Sequence, residues 1–98
     1  MTKFLVTYHG SGHPDPAEME QARNAFMAWL GEQGSAVVDP GAPLNLVGQV
    51  ASGEPAPAAD IAGYSIIEAA DADAAAAILA SHPFVARGGT LQVSQALA

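Results

Sequence analysis

Few side chains in this sequence combine a charge or a titratable ring with a position that local pattern singles out. Lys3, Arg23 and Arg87 are the only fixed cations against ten acidic residues. A guanidinium binds carboxylate or phosphate in two-pronged fashion, which makes Arg23 a candidate anion clamp. Its alternative is a stem lying along a helix, with the head in water or paired to Glu20. Asp39 stands between a short apolar run and Pro40-Gly41-Ala42-Pro43. It is a candidate general base or partner for Arg23, or else a turn aspartate bonding its own backbone. His82 is a candidate acid or base that titrates near neutrality, or a histidine placed at the negative end of a helix. Trp29 and Tyr64 are core residues, or aromatic faces on which a flat ligand could stack.

Other patterns fall short of a site. His9 and His13 are four apart, but Gly10, Gly12 and Pro14 argue against the helix that metal-ligand spacing would need. Gly10-Ser11-Gly12 and Gly88-Gly89 lack the lysine or the strand-to-helix context of a nucleotide loop, and Ser11 has no placed base. No metal and no cofactor is expected. A formal net charge of −7 makes nucleic acid and anionic lipid poor partners. There is no cysteine, hence no disulfide or thiolate chemistry. The apolar run after Lys3 stops at His9-Gly10, too short for an export signal, so a cytoplasmic setting is expected. At 98 residues, 50% hydrophobic and 13% charged, the chain reads as one globular, soluble domain over residues 1–98 with no membrane span.

The elements that must hold these residues follow from periodicity. Lys3 to Tyr8 is a strand with apolar side chains on both alternations. Asp15 caps and Pro16 opens an amphipathic helix ending at Gly34. Met19, Ala22, Phe26, Trp29 and Leu30 form its apolar stripe, and at about 100° per residue Arg23 falls inside that stripe between Leu30 and Met27. Ala36-Val37-Val38 is a short strand, and Asp39 to Pro43 is expected to be irregular. Leu44 to Val50 could add a strand, followed by an exposed loop from Ser52 to Asp60. Gly63 to Ala69 is the clearest strand. Asp71 and Asp73 start a second helix over Ala74 to Ala80, ended by Pro83. Thr90 to Gln95 alternates as a last strand.

Strand, helix, strand, loop, strand, helix, strand is the ferredoxin-like α+β pattern: a four-stranded antiparallel sheet with both helices on one face. The other face would then be bare, and apolar residues in both directions on two strands imply that a second copy covers it in a homodimer.

Gly63-Tyr64-Ser65-Ile66-Ile67-Glu68-Ala69, the Asp71 and Asp73 pair, His82-Pro83-Phe84 and Gly88-Gly89-Thr90-Leu91-Gln92-Val93 together resemble the C-terminal half of the YCII-related (DGPF) family. Gly34 to Pro43 is similar to the second strand and turn of one of its branches. The resemblance implies a dimeric α+β barrel in which two sheets enclose a space. It further implies, for some members, an enzyme built on a histidine and aspartate pair. Counted back from Gly34, that histidine would stand near Arg23, so this chain departs from the pattern there. Three functions remain: a cofactor-free isomerase or lyase with Asp39 as base and Arg23 holding substrate, a ligand-binding or regulatory module without turnover, or a plain dimeric interaction domain with no cavity.

Overall fold

A computed structural model of the chain describes residues 1–10 and 15–97. Its strands are β1 (Thr2–His9), β2 (Val37–Pro43), β3 (Gly63–Ala69) and β4 (Thr90–Gln95), and its helices are α1 (Pro16–Gln33), α2 (Ala72–Leu79) and α3 (Pro83–Ala86). The strands form one antiparallel sheet in the order β2-β3-β1-β4. The fold is therefore α+β and compatible with the ferredoxin-like arrangement.

Local chemistry explains the boundaries. The Asp15 carboxylate accepts from the Glu18 amide at 2.9 Å, and Gly34 closes α1 at φ 58°. Asp71 caps α2 in the same way, accepting from Ala74 N at 2.8 Å. Because side chains alternate across a strand, Phe4 and Val6 of β1 share one sheet face with Ser65, Ile67 and Ala69 of β3. Trp29 of α1 and Ala75 and Leu79 of α2 complete the core on that face. Ala75 has no accessible surface, and the small side chains of α2 let it lie close to the sheet. A smallest dimension of 19 Å matches one helix layer on one sheet.

Several expectations need correction. Asp39 to Pro43 is strand, because β2 is a sheet edge, where proline removes no essential ladder bond, and two register shifts absorb the irregularity. Leu44 to Val50 forms no strand; it opens an exposed excursion closed where Leu44 N donates to the Ala62 carbonyl at 2.9 Å. Pro83 does not end α2 but occupies the first turn of α3. Met19 and Met27 are exposed, so the apolar stripe of α1 is narrower than its sequence suggests, and Arg23 lies on the exposed side with them.

Gly41 has φ 78°, and a side chain there would run into the Tyr64 carbonyl on the neighbouring strand. Gly34 also has positive φ but open space around it. Gly41→Ala is therefore expected to cost more than about 2 kcal/mol in urea unfolding, and Gly34→Ala only ~1 kcal/mol, the strain of a left-handed backbone alone. Equal losses would show that the strand contact at Gly41 carries no weight.

Candidate functional site

The helix-side face holds a buried polar line at its centre. His82, only 2% exposed, lies between α2 and α3, where its Nδ1 accepts from the Phe84 amide at 3.0 Å and so caps α3. A backbone N–H can only donate, which places the ring proton on Nε2. That Nε2–H donates to the Tyr8 hydroxyl at 2.8 Å. At the other end, the Ser65 hydroxyl donates to the Pro40 carbonyl at 2.7 Å, so the 2.7 Å bond between Tyr8 and Ser65 runs from Tyr8 to Ser65. The line has one possible direction, from His82 through Tyr8 and Ser65 to the backbone of β2.

The imidazole is enclosed by aromatic rings, with Trp29 at 4.4 Å, Tyr8 at 5.1 Å and Phe26 at 5.4 Å between centroids. Burial, reinforced by the Arg87 charge, lowers its pKa to about 4. Burial also raises the Tyr8 phenol above its ordinary value, against the lowering effect of its bond with Ser65. A pKa of about 4 lies below the near-neutral titration expected of His82. The residue does stand just past the end of the second helix, where its backbone N–H donates to the Leu79 carbonyl at 3.0 Å, but its ring caps the start of α3 rather than facing the end of α2. Trp29 is likewise core, 3% exposed, with Nε1 donating to Ser81 Oγ at 3.0 Å.

The opposite face of the sheet carries a different set. Here lie Lys3, Leu5, Thr7 and His9 of β1, Tyr64, Ile66 and Glu68 of β3, and Gln92 and Ser94 of β4. Thr7 sits directly between Tyr64 and Gln92 in register. The Tyr64 hydroxyl donates to Asp39 Oδ2 at 3.3 Å, while Asp39 Oδ1 accepts from Gly41 N at 2.8 Å. Thr7 Oγ1 and His9 Nε2 are bonded at 2.8 Å. A carboxylate, a phenol, a hydroxyl and an imidazole are therefore presented from one end of this face, beside Leu5 and Ile66. Such a set can hydrogen-bond a polar ring lying on the apolar pair. The face is mixed rather than the largely apolar one expected from β1 and β3.

Of the residues singled out in the sequence, Asp39 and Tyr64 are brought together. Arg23 is on the helix layer and His82 on the helix-side face, so neither shares a surface with Asp39. Sequence reading missed Tyr8, Ser65 and Thr7. Tyr8 and Ser65 were legible only as strand positions, since nothing local shows that a strand hydroxyl will meet a histidine 74 residues away. His13 and Ser11 lie outside the described residues. Among the described residues no group of three or more His, Cys, Asp or Glu could hold a metal ion, and no helix is long and apolar enough to cross a membrane. No protein-family model matches the chain, and no curated protein is significantly similar to it.

The buried histidine has a measurable consequence. The unfolded chain takes up a proton near pH 6.5 and the folded chain only near 4, so this group's contribution to stability is intact above 6.5 and is lost as the pH falls toward 4. The loss is at most ~3 kcal/mol at about 1.4 kcal/mol per pKa unit. His82→Asn is expected to be less stable at pH 7 but to lose less on acidification than the parent, by urea unfolding at pH 7 and pH 4. Parallel losses in the two proteins would refute a depressed His82 pKa.

Proposed function

We propose that this chain is a YCII-related, small-molecule-binding domain whose ligand lies on the open sheet face against Asp39 and Tyr64. The Asp39–Tyr64 pair carries the reading. The bond from Gly41 N aims the carboxylate, and Tyr64 fills one lone pair while leaving others free to accept from a ligand hydroxyl or N–H. Arg23 stands on the other layer, so the anion clamp has no counterpart beside Asp39. The ligand class favoured is accordingly a neutral, hydroxylated aromatic molecule rather than an anion. Burial of the face by a second copy, as the family resemblance implies, would enclose the ligand and exclude water. A cytoplasmic setting fits a chain without cysteine.

A catalytic form of the same reading uses Asp39 as base toward a ligand proton, with the Tyr64 hydroxyl beside it; His82 takes no part. Catechol is a suitable probe. In titrations followed by amide NMR, it should shift Thr7, Tyr64, Ile66 and Gln92. Asp39→Asn should weaken binding roughly tenfold, the worth of one hydrogen bond to a charged group. Shifts confined to α1 around Arg23, or an Asp39→Asn variant that binds as tightly as the parent, would sink this assignment.

A further inference from the structure

The two edges of the sheet are built differently. The β2 edge carries Pro40, Pro43, the left-handed Gly41 and two register shifts. These are the devices that keep an edge from pairing with another chain. The β4 edge has none of them. Thr90-Leu91-Gln92-Val93-Ser94-Gln95 contains no proline, no glycine and no charge, and it runs in unbroken register with β1 from His9↔Thr90 to Phe4↔Gln95.

The direction of its backbone groups follows from one bond. Ala96 N donates to the Lys3 carbonyl at 2.9 Å, so Lys3 and Ala96 are a hydrogen-bonded pair. Hydrogen-bonded pairs alternate along an antiparallel ladder. Ser94, Gln92 and Thr90 therefore direct their N–H and C=O groups to β1, whereas Leu91, Val93 and Gln95 direct theirs out from the edge. No described element covers them, and Val93 is 40% exposed on the helix side.

We propose that β4 pairs antiparallel with β4 of a second copy about a two-fold axis at Val93, giving one continuous sheet with both helix layers on the same side. In that register Val93 opposes Val93 of the second copy and Leu91 opposes Gln95, and every outward N–H finds a carbonyl. The occupant is another copy of this chain for two reasons. Two molecules of formal charge −7 repel wherever their acids meet, and β4 is a strand that holds none. The pairing is also self-complementary and closes at two, because the remaining edges are the blunted β2 strands. This contact is separate from any burial of the open sheet face.

Multi-angle light scattering on the full chain and on Val93→Pro tests it. Proline removes an outward N–H and leaves the bonds to β1 in place, so the variant should have half the particle mass of the parent. Val93→Lys, which sets two like charges across the axis, should do the same. In the parent, the amides of Leu91, Val93 and Gln95 should exchange with deuterium as slowly as those of Gln92 and Ser94. A parent of 9.9 kDa, including one whose outward amides become protected only when an extended peptide is added, would overturn the proposal. So would an unchanged mass in both variants. Leu5→Asp probes the open face instead: a mass change there with none in the Val93 variants would leave face burial standing and remove the edge contact.

Discussion

The hydrogen-bonded line from His82 through Tyr8 and Ser65 to the Pro40 carbonyl is the constraint around which the rest of the structure is arranged. It starts on the segment joining α2 to α3, crosses β1 and β3, and ends on edge strand β2. His82 and Ser65 are buried and Tyr8 between them is half-buried, so loss of the Tyr8 hydroxyl would leave the buried His82 Nε2–H without its partner, at about 1–3 kcal/mol. Among the described residues every buried side-chain nitrogen and oxygen has a partner. Packing and polarity thus specify the same arrangement: the aromatic rings that enclose His82 also hold it neutral, and only the neutral tautomer can cap α3 while donating to Tyr8.

The line also explains how a strand containing two prolines and a left-handed glycine stays ordered. Ser65 takes hold of the Pro40 carbonyl from the helix side, while Asp39 folds back onto Gly41 N and meets Tyr64 on the open side. Ser65 and Tyr64 are consecutive on β3 and point to opposite faces, so one strand grips the same tripeptide from both. Glycine at position 41 is then a steric requirement, since the β3 backbone occupies the place a side chain would fill. The open-face carboxylate is aimed by the same interactions that secure the edge.

How much of this was legible in the sequence depended on the range of the interaction. Caps at Asp15 and Asp71, the end of α1 at Gly34, and the limits of β3 and β4 are encoded within a few residues, and local chemistry places them. Asp39 to Pro43 misled because proline and glycine report local preference, whereas edge position in the sheet is a tertiary fact. Arg23 misled for a related reason: a helical wheel gives angles but not the width of the surface to be covered, and along α1 the core takes in Trp29, with Phe26 and Leu30 partly buried against it. The partnership of Asp39 with Tyr64 was out of reach, though both residues had been singled out, because a bulge decides the face to which Asp39 turns. His82 showed its capping role only by preceding a proline, a signal equally consistent with the end of a helix.

The placement of Arg23 reshapes what a site in this protein could recognise. With that guanidinium on the helix layer, the open face offers acceptors and hydroxyl groups at one end, and its lysine, Lys3, stands at the other end directly opposite Glu68. A chain of net charge −7 would add a repulsive field to that local shortage of cations. Complementarity on such a surface comes from accepted hydrogen bonds and apolar contact with Leu5 and Ile66. Both are weak while water competes for the same groups and gain strength once it is excluded. On the proposed reading, a ligand on this face would depend on what covers the sheet as much as on Asp39 and Tyr64 themselves, which would make assembly and recognition parts of one physical problem.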